Sequence, residues 1–220
     1  MQAVGRASAI RVAVGMPFVR IHSSSADHRP PCARRAVSTA KTGRRAYHRA
    51  LDLARVTKGR PTTMALENDT QAPDFDLANQ FGEHIRLSDF RGKKPVALVF
   101  FPLAFSSTCT GELCALRDNL TLFKDHGVEL IGISVDSKAS LRAWADQEGY
   151  DFTLLADFWP HGSVAKEYGV FLEEKGYANR ATFVIDIKGV IRASFITAPG
   201  EARQIDEYRA ALDEVLPAHV

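Results

Sequence analysis

The sequence predicts an α/β protein with a central mixed β-sheet flanked by helices, and three observations lead there. Two near-continuous apolar runs, PVALVFF from Pro95 and VELIGISVD from Val128, have the composition of strands buried on both faces. Each is followed by a stretch with helical spacing, so strand and helix alternate through the middle of the chain. Near the C-terminus ATFVIDIKGVIRASFI folds back at Lys188-Gly189, which adds an antiparallel pair to an otherwise parallel sheet.

Taken in order, FDLAN and HIRLSDF flank a turn at residues 80–83 and predict a small N-terminal β-hairpin. The run at 95–101 is the first buried strand. A helix over 108–125 follows and stops at Gly127. After the second buried strand, Asp136 or Ser137 is placed to cap a helix over SKASLRAWADQEG. FTLLADF, a short helix at 163–168, the late hairpin and a closing helix at 201–216 complete the series. No internal repeat is present.

At 220 residues, 45% hydrophobic and 25% charged, the chain allows one domain of ordinary size with some surplus. No apolar run approaches the roughly 18 residues of a membrane helix, so a soluble protein without a membrane partner is expected. The net charge of +2 hides an asymmetry. Residues 1–63 carry 11 Arg and 2 Lys against Asp27 and Asp52, a net of +11, and the rest carries −9. A boundary therefore belongs near Met64, between a leader at 1–63 and a domain at 64–220. The leader lacks sustained apolar periodicity and is expected to be largely disordered, with a short helix at 45–56 at most. Three readings of it stay open. It has the Arg-rich, acid-poor composition of a transit peptide. As a nucleic-acid arm it is thin in aromatics, with Tyr47 alone in its Arg-rich part. It is also compatible with translation that starts at Met64, since MALENDTQAPDFDL reads as a first strand arriving just after a start residue.

Three cysteines do not make a disulfide framework, which favours a reducing compartment. Cys32 falls in the leader. Cys109 falls where a strand gives way to a helix, beside free backbone N–H groups and the positive end of the helix dipole. Such positions can lower a cysteine pKa from about 8.5 to roughly 3.5–7.5 and make it a nucleophile. The alternative is an inert core cysteine, but Ser106, Ser107 and Thr108 make the approach polar. At about 100° per residue, Cys109, Leu113, Leu116, Leu120 and Phe123 share the core face, whereas Cys114 lies about 140° from Cys109. A core role for Cys114 is therefore not expected. Five residues of helix separate the two Cα atoms by roughly 8–9 Å, too far for a disulfide unless the first turn unwinds.

From Met64 onward the chain resembles the peroxiredoxins, the AhpC/TSA superfamily. The residues that carry the resemblance are Pro102, Leu103-Ala104-Phe105, Ser106, Ser107-Thr108 and Cys109, with an arginine entering a late strand, Arg180 in ANRATFVID. FFPLAF, DFWPHG, EYGVF and PGE are similar to the alkyl hydroperoxide reductase E type of actinobacteria, which includes one-cysteine enzymes. CTGELCALRDN is similar to the bacterioferritin comigratory (Q-type) members, whose resolving cysteine follows the peroxidatic one by five residues. The resemblance implies a thioredoxin-like fold and a peroxidase acting on hydrogen peroxide and organic hydroperoxides. Cys109 would be the peroxidatic thiolate and Cys114 the resolving cysteine. Arg180 would stabilise the thiolate and hold the peroxide, Ser106 would orient it, and Pro102 would form an apolar wall. Glu112 either positions the arginine or is simply an acid in a helix's first turn. Thioredoxin, or mycoredoxin with mycothiol, would be the reductant, and a homodimer is possible.

Several features imply less. Trp144 and Trp159 are expected to be packing residues, and His161 a cap or hydrogen-bond donor. No His/Cys/carboxylate cluster has metal spacing and no glycine-rich phosphate loop occurs, so no cofactor is expected. A thioredoxin-like disulfide oxidoreductase would need C-x-x-C, yet Cys109 is followed by Thr110-Gly111-Glu112. A non-catalytic scaffold of the same fold would need none of Pro102, Ser106, Cys109 and Arg180. A nucleic-acid binder would rest on the leader alone, and no nucleic-acid partner is expected.

Overall fold

The computed structural model describes residues 65–215, and the leader, its short helix and the start at Met64 lie outside the described residues. Among the described residues nine strands and five helices follow in this order: β1 (Asp76–Asn79), β2 (His84–Arg86), β3 (Val96–Phe100), α1 (Ser107–Asp118), α2 (Leu120–Asp125), β4 (Glu129–Ser134), α3 (Lys138–Glu148), β5 (Thr153–Ala156), α4 (Ser163–Glu167), β6 (Phe171–Leu172), β7 (Tyr177–Ala178), β8 (Arg180–Ile185), β9 (Ile191–Thr197) and α5 (Ile205–Asp213). A single 3-10 turn, Leu87–Phe90, follows β2.

Seven strands form one mixed sheet in the order β2-β1-β5-β4-β3-β8-β9. Its middle is parallel, with β3 beside β4 and β4 beside β5. Both flanks are antiparallel: β8 pairs with β3 and β9, and β1 pairs with β5 and β2. The period of two along β3 divides the core. Val96, Leu98 and Phe100 join a cluster with Val164, Ala165 and Tyr168 of the α4 region. Ala97, Val99 and Phe101 join the opposite cluster, with side chains from α1, α2, α3 and α5. All residues of β3 and β8 are buried; in β3 this gives an unbroken apolar run, whereas β8 buries Arg180 and Thr182 among its apolar residues.

Local chemistry fixes the helix ends. Ser137, rather than Asp136, caps α3, its hydroxyl accepting from the Ser140 N–H at 3.2 Å. Gly149 closes α3 in the left-handed region at φ 69°. Ser137→Ala is expected to cost about 1 kcal/mol, read as a shift of the urea midpoint at unchanged slope.

Two helix expectations need correction. The helix expected over 108–125 is two helices, broken at Asn119. There the Asn119 side chain donates back to the Ala115 carbonyl at 2.8 Å and the backbone leaves helical geometry (φ −113°, ψ 24°). The closing helix begins at Ile205, not residue 201, because Arg203 and Gln204 are extended into contacts of their own. Among the described residues no helix is long and apolar enough to cross a membrane.

Candidate active site

The C-terminal end of β3 and the start of β8 lie side by side, Phe100 opposite Ala181. Alternation along β8 sends Ala181, Phe183 and Ile185 to the α4 side. Arg180 and Thr182 point the other way, under α1.

After β3 the chain passes through buried Pro102 and turns at Phe105, a bulky residue at φ 60°. The Ala104 N–H donates to Asp136 Oδ2 at 2.8 Å, which ties this loop to the end of β4. Leu103 and Phe105 form a partly exposed apolar rim. Ser106 is the N-cap of α1, and its hydroxyl accepts from the Cys109 N–H at 3.4 Å. Cys109 thus sits in the first helical turn as a fully buried free thiol.

Arg180 meets it from the sheet. Its Nη2 donates to Cys109 Sγ at 3.2 Å, its Nη1 to Glu112 Oε2 at 2.5 Å, and its Nε to the Pro199 carbonyl at 2.9 Å. Three partners in three directions leave the guanidinium one orientation. Glu112 is gripped in turn by Arg203, whose Nε reaches Oε1 at 2.7 Å, Nη2 reaches Oε2 at 3.0 Å and backbone N–H reaches Oε1 at 3.0 Å. Arg203 Nη1 then donates to Thr182 Oγ1 at 2.9 Å.

Glu112, Arg180 and Arg203 are 3, 1 and 4% exposed, so this network is dry and poorly screened. Burial alone would push the Glu112 carboxyl up, but hydrogen bonds and charge from Arg203, with the charge of Arg180, hold it below the usual carboxylate range. Two guanidinium charges face one carboxylate. The surplus positive charge lies against the sulfur.

The structure brings Pro102, Ser106, Cys109, Glu112 and Arg180 into one neighbourhood and places Cys114 on the far side of the same helix. That side is not solvent. Cys114 is 4% exposed and belongs to the core cluster, which corrects the expectation that it has no core role. The end of α3 and the residues after it cover α1 there. Cys114 Sγ lies 3.8 Å from Glu148 Oε2 and 3.8 Å from the Tyr150 hydroxyl.

The tryptophans part company. Trp144 is fully buried, its ring 5.5 Å from Phe101 and 5.0 Å from Tyr150. Trp159 is 80% exposed and does not pack. The turn it occupies is held by Asp157, which accepts from the Val164 and Ala165 N–H groups, so the indole is not needed. His161 Nε2 contacts the Gly176 carbonyl at 2.7 Å. Among the described residues no cluster of His, Cys, Asp and Glu could hold a metal ion.

Sequence reasoning missed Arg203, Thr182, Glu148 and Tyr150. Arg203 sits in the polar stretch PGEARQ, which reads as a solvated turn, and nothing in its spacing marks it as buried.

The model of the AhpC/TSA family matches residues 69–194. Alkyl hydroperoxide reductase E of Mycobacterium tuberculosis is 49% identical over 132 residues, covering 60% of this chain and 86% of that protein. The chloroplastic peroxiredoxin Q of Triticum aestivum is 36% identical over 179 residues, covering 79% and 81%. The reduced 2-Cys peroxiredoxin of Plasmodium vivax superposes with a TM-score of 0.62 at 29% identity, covering 70% of this chain and 88% of that one. Matched by the family model over more than half its length, the chain belongs to the AhpC/TSA family, the peroxiredoxins.

Proposed function

We propose that this thiol peroxidase reduces hydrogen peroxide and organic hydroperoxides with Cys109 as the attacking sulfur and Cys114 as the resolving one. The observation that carries the reading is the 3.2 Å contact from Arg180 to a sulfur at a helix N-terminus. The Cys109 thiolate attacks the terminal peroxide oxygen, the O–O bond breaks, and the sulfur becomes a sulfenic acid. The leaving oxygen takes a proton and departs as alcohol or water. Arg180 offsets charge that builds on that oxygen. Glu112 and Arg203 act through Arg180 as positioning residues. Ser106 holds the first turn of α1 in register and orients the peroxide. Pro102, with Leu103 and Phe105, limits water at the mouth.

Cys114 then attacks the sulfenic acid, releasing water and forming an intramolecular disulfide that an external thiol reopens. A reductant of the thioredoxin or mycoredoxin type belongs to this reading, as does a homodimer. We read residues 64–220 as the peroxiredoxin domain. The cytoplasm is its expected site, or an organelle should the leader be a transit peptide.

The test is the mass of the reduced full-length protein after one equivalent of hydrogen peroxide. Loss of two hydrogens, mapped to the peptides holding Cys109 and Cys114, supports the two-cysteine cycle. A single oxygen gained on Cys109 makes this a one-cysteine enzyme, and no rapid change removes the peroxidase reading. Cys109→Ser should abolish turnover. Cys114→Ser should leave the first oxidation intact, slow recycling and promote sulfinic acid.

A further inference from the structure

Asp136 follows β4 and is half-buried. Ser137 caps α3, so the Asp136 carboxylate serves other groups. Its Oδ2 accepts from the Ala104 N–H at 2.8 Å and from the Ser134 hydroxyl at 2.8 Å. Ser134 is 1% exposed, and its carbonyl accepts from the Asp157 N–H at 2.8 Å. Since β4 lies between β3 and β5 in the sheet, Asp136 is fixed to two strand ends and reaches across to the loop that leaves the third.

That loop needs holding. Among the described residues, the bond to Asp136 is the only hydrogen bond made by a backbone group of residues 102–105. Phe105, next along the chain, sits at φ 60°, a left-handed backbone that is strained for a bulky side chain and persists only where its surroundings hold it. Leu103 and Phe105 are 40 and 50% exposed, so burial of these two side chains supplies little grip. Ala104 lies two residues before Ser106, whose hydroxyl accepts from the Cys109 N–H. A shift of Ala104 is therefore passed to the start of α1.

Resting on the reading of Cys109 as the attacking sulfur, we propose that Asp136 is a positioning residue for the peroxide step, a latch on Ala104 that holds Pro102 and Ser106 in place around Cys109. It acts through Ala104 rather than on the reacting atoms. With the latch broken, the strained turn relaxes and the loop moves off the start of α1. The fully buried sulfur then becomes reachable while it loses the groups that receive a peroxide. The two loop positions thus exchange one reactivity for another. The closed one suits a small peroxide met by preplaced groups, and the open one suits a bulkier reagent that needs only access.

The experiment applies two probes of the same sulfur, at one pH, to the reduced full-length protein. Stopped-flow mixing with hydrogen peroxide gives the rate of Cys109 oxidation. Iodoacetamide gives the rate of Cys109 alkylation, read by mass after proteolysis at Glu112 has separated Cys109 from Cys114. In Asp136→Ala oxidation should slow by about ten- to a hundredfold, the usual cost of misplacing groups at a reacting centre. Alkylation should quicken by about tenfold, since a hydrogen bond to a charged group no longer opposes opening. Movement in opposite directions is the signature, because a variant that merely left less of the sulfur ionised would slow both. Asp136→Asn keeps an acceptor for the Ala104 N–H and should fall between the parent and the alanine variant. Ser134→Ala frees the carboxylate to turn, should move both rates the same way by less, and serves where Asp136→Ala folds poorly. Ser137→Ala weakens the start of α3 beside Asp136 and should leave both rates as in the parent.

Both rates unchanged in Asp136→Ala, or both slowed together, overturns the proposal. So does an equal change in Ser137→Ala, the mark of a structural role. A parent enzyme whose Cys109 is not oxidised by peroxide overturns the reading of the attacking sulfur and this proposal with it, and that outcome is read without any variant.

Discussion

Arg180→Ala is expected to lower kcat/KM for hydrogen peroxide by about two to three orders of magnitude, the usual cost of removing one preorganised donor from a developing anion. The guanidinium both touches the Cys109 sulfur and is locked by Glu112 and the Pro199 carbonyl. Arg180→Lys should recover little, because an ammonium cannot send three donors in those three directions. Stopped-flow measurement of sulfenic acid formation checks this, and a loss of only twofold would show that the sulfur does not depend on the guanidinium.

The second large effect is on stability. Glu112→Gln leaves Arg180 and Arg203 buried without the carboxylate they share, and breaking one partner of such a network costs about 3–5 kcal/mol. For a domain of this size that lowers Tm by roughly 6–20 °C. The same carboxylate predicts a pH dependence. Its folded-state pKa is depressed below the usual value of about 4.3, so its contribution is fully present above that value and is lost as pH falls through the folded-state pKa. Urea denaturation from pH 7 to 3 should show the parent losing stability on the acid side and Glu112→Gln losing less. Equal acid slopes would show that the network does not set acid stability.

The fold was legible where a single segment decides its own state. Strands β3 and β4 are buried almost throughout, so their runs of apolar residues need no knowledge of partners. Helix α3 carries its own start at Ser137 and its own stop at Gly149. The break at Asn119 was hidden because the apolar period continues across it while one side chain competes for a carbonyl. Cys114 was misplaced for a different reason. A helical wheel knows one buried face, and α1 has two, the second supplied by residues more than thirty positions away. Arg203 was invisible for the same cause: only the approach of Glu112 and Thr182 turns a polar turn residue into a buried ion partner.

Glu112 lies between the two cysteines on α1 and is pinned from β8 and from the approach to α5. A helix nailed at its second turn can fray only ahead of the nail. In the proposed two-cysteine cycle the free energy needed to open that first turn is subtracted from the bond between the two sulfurs, so the pin would act on the redox potential as well as on geometry. On that proposal a firmer grip on Glu112 would make the oxidised form easier to reduce, which would place control of recycling in an ion pair that exchanges no electrons.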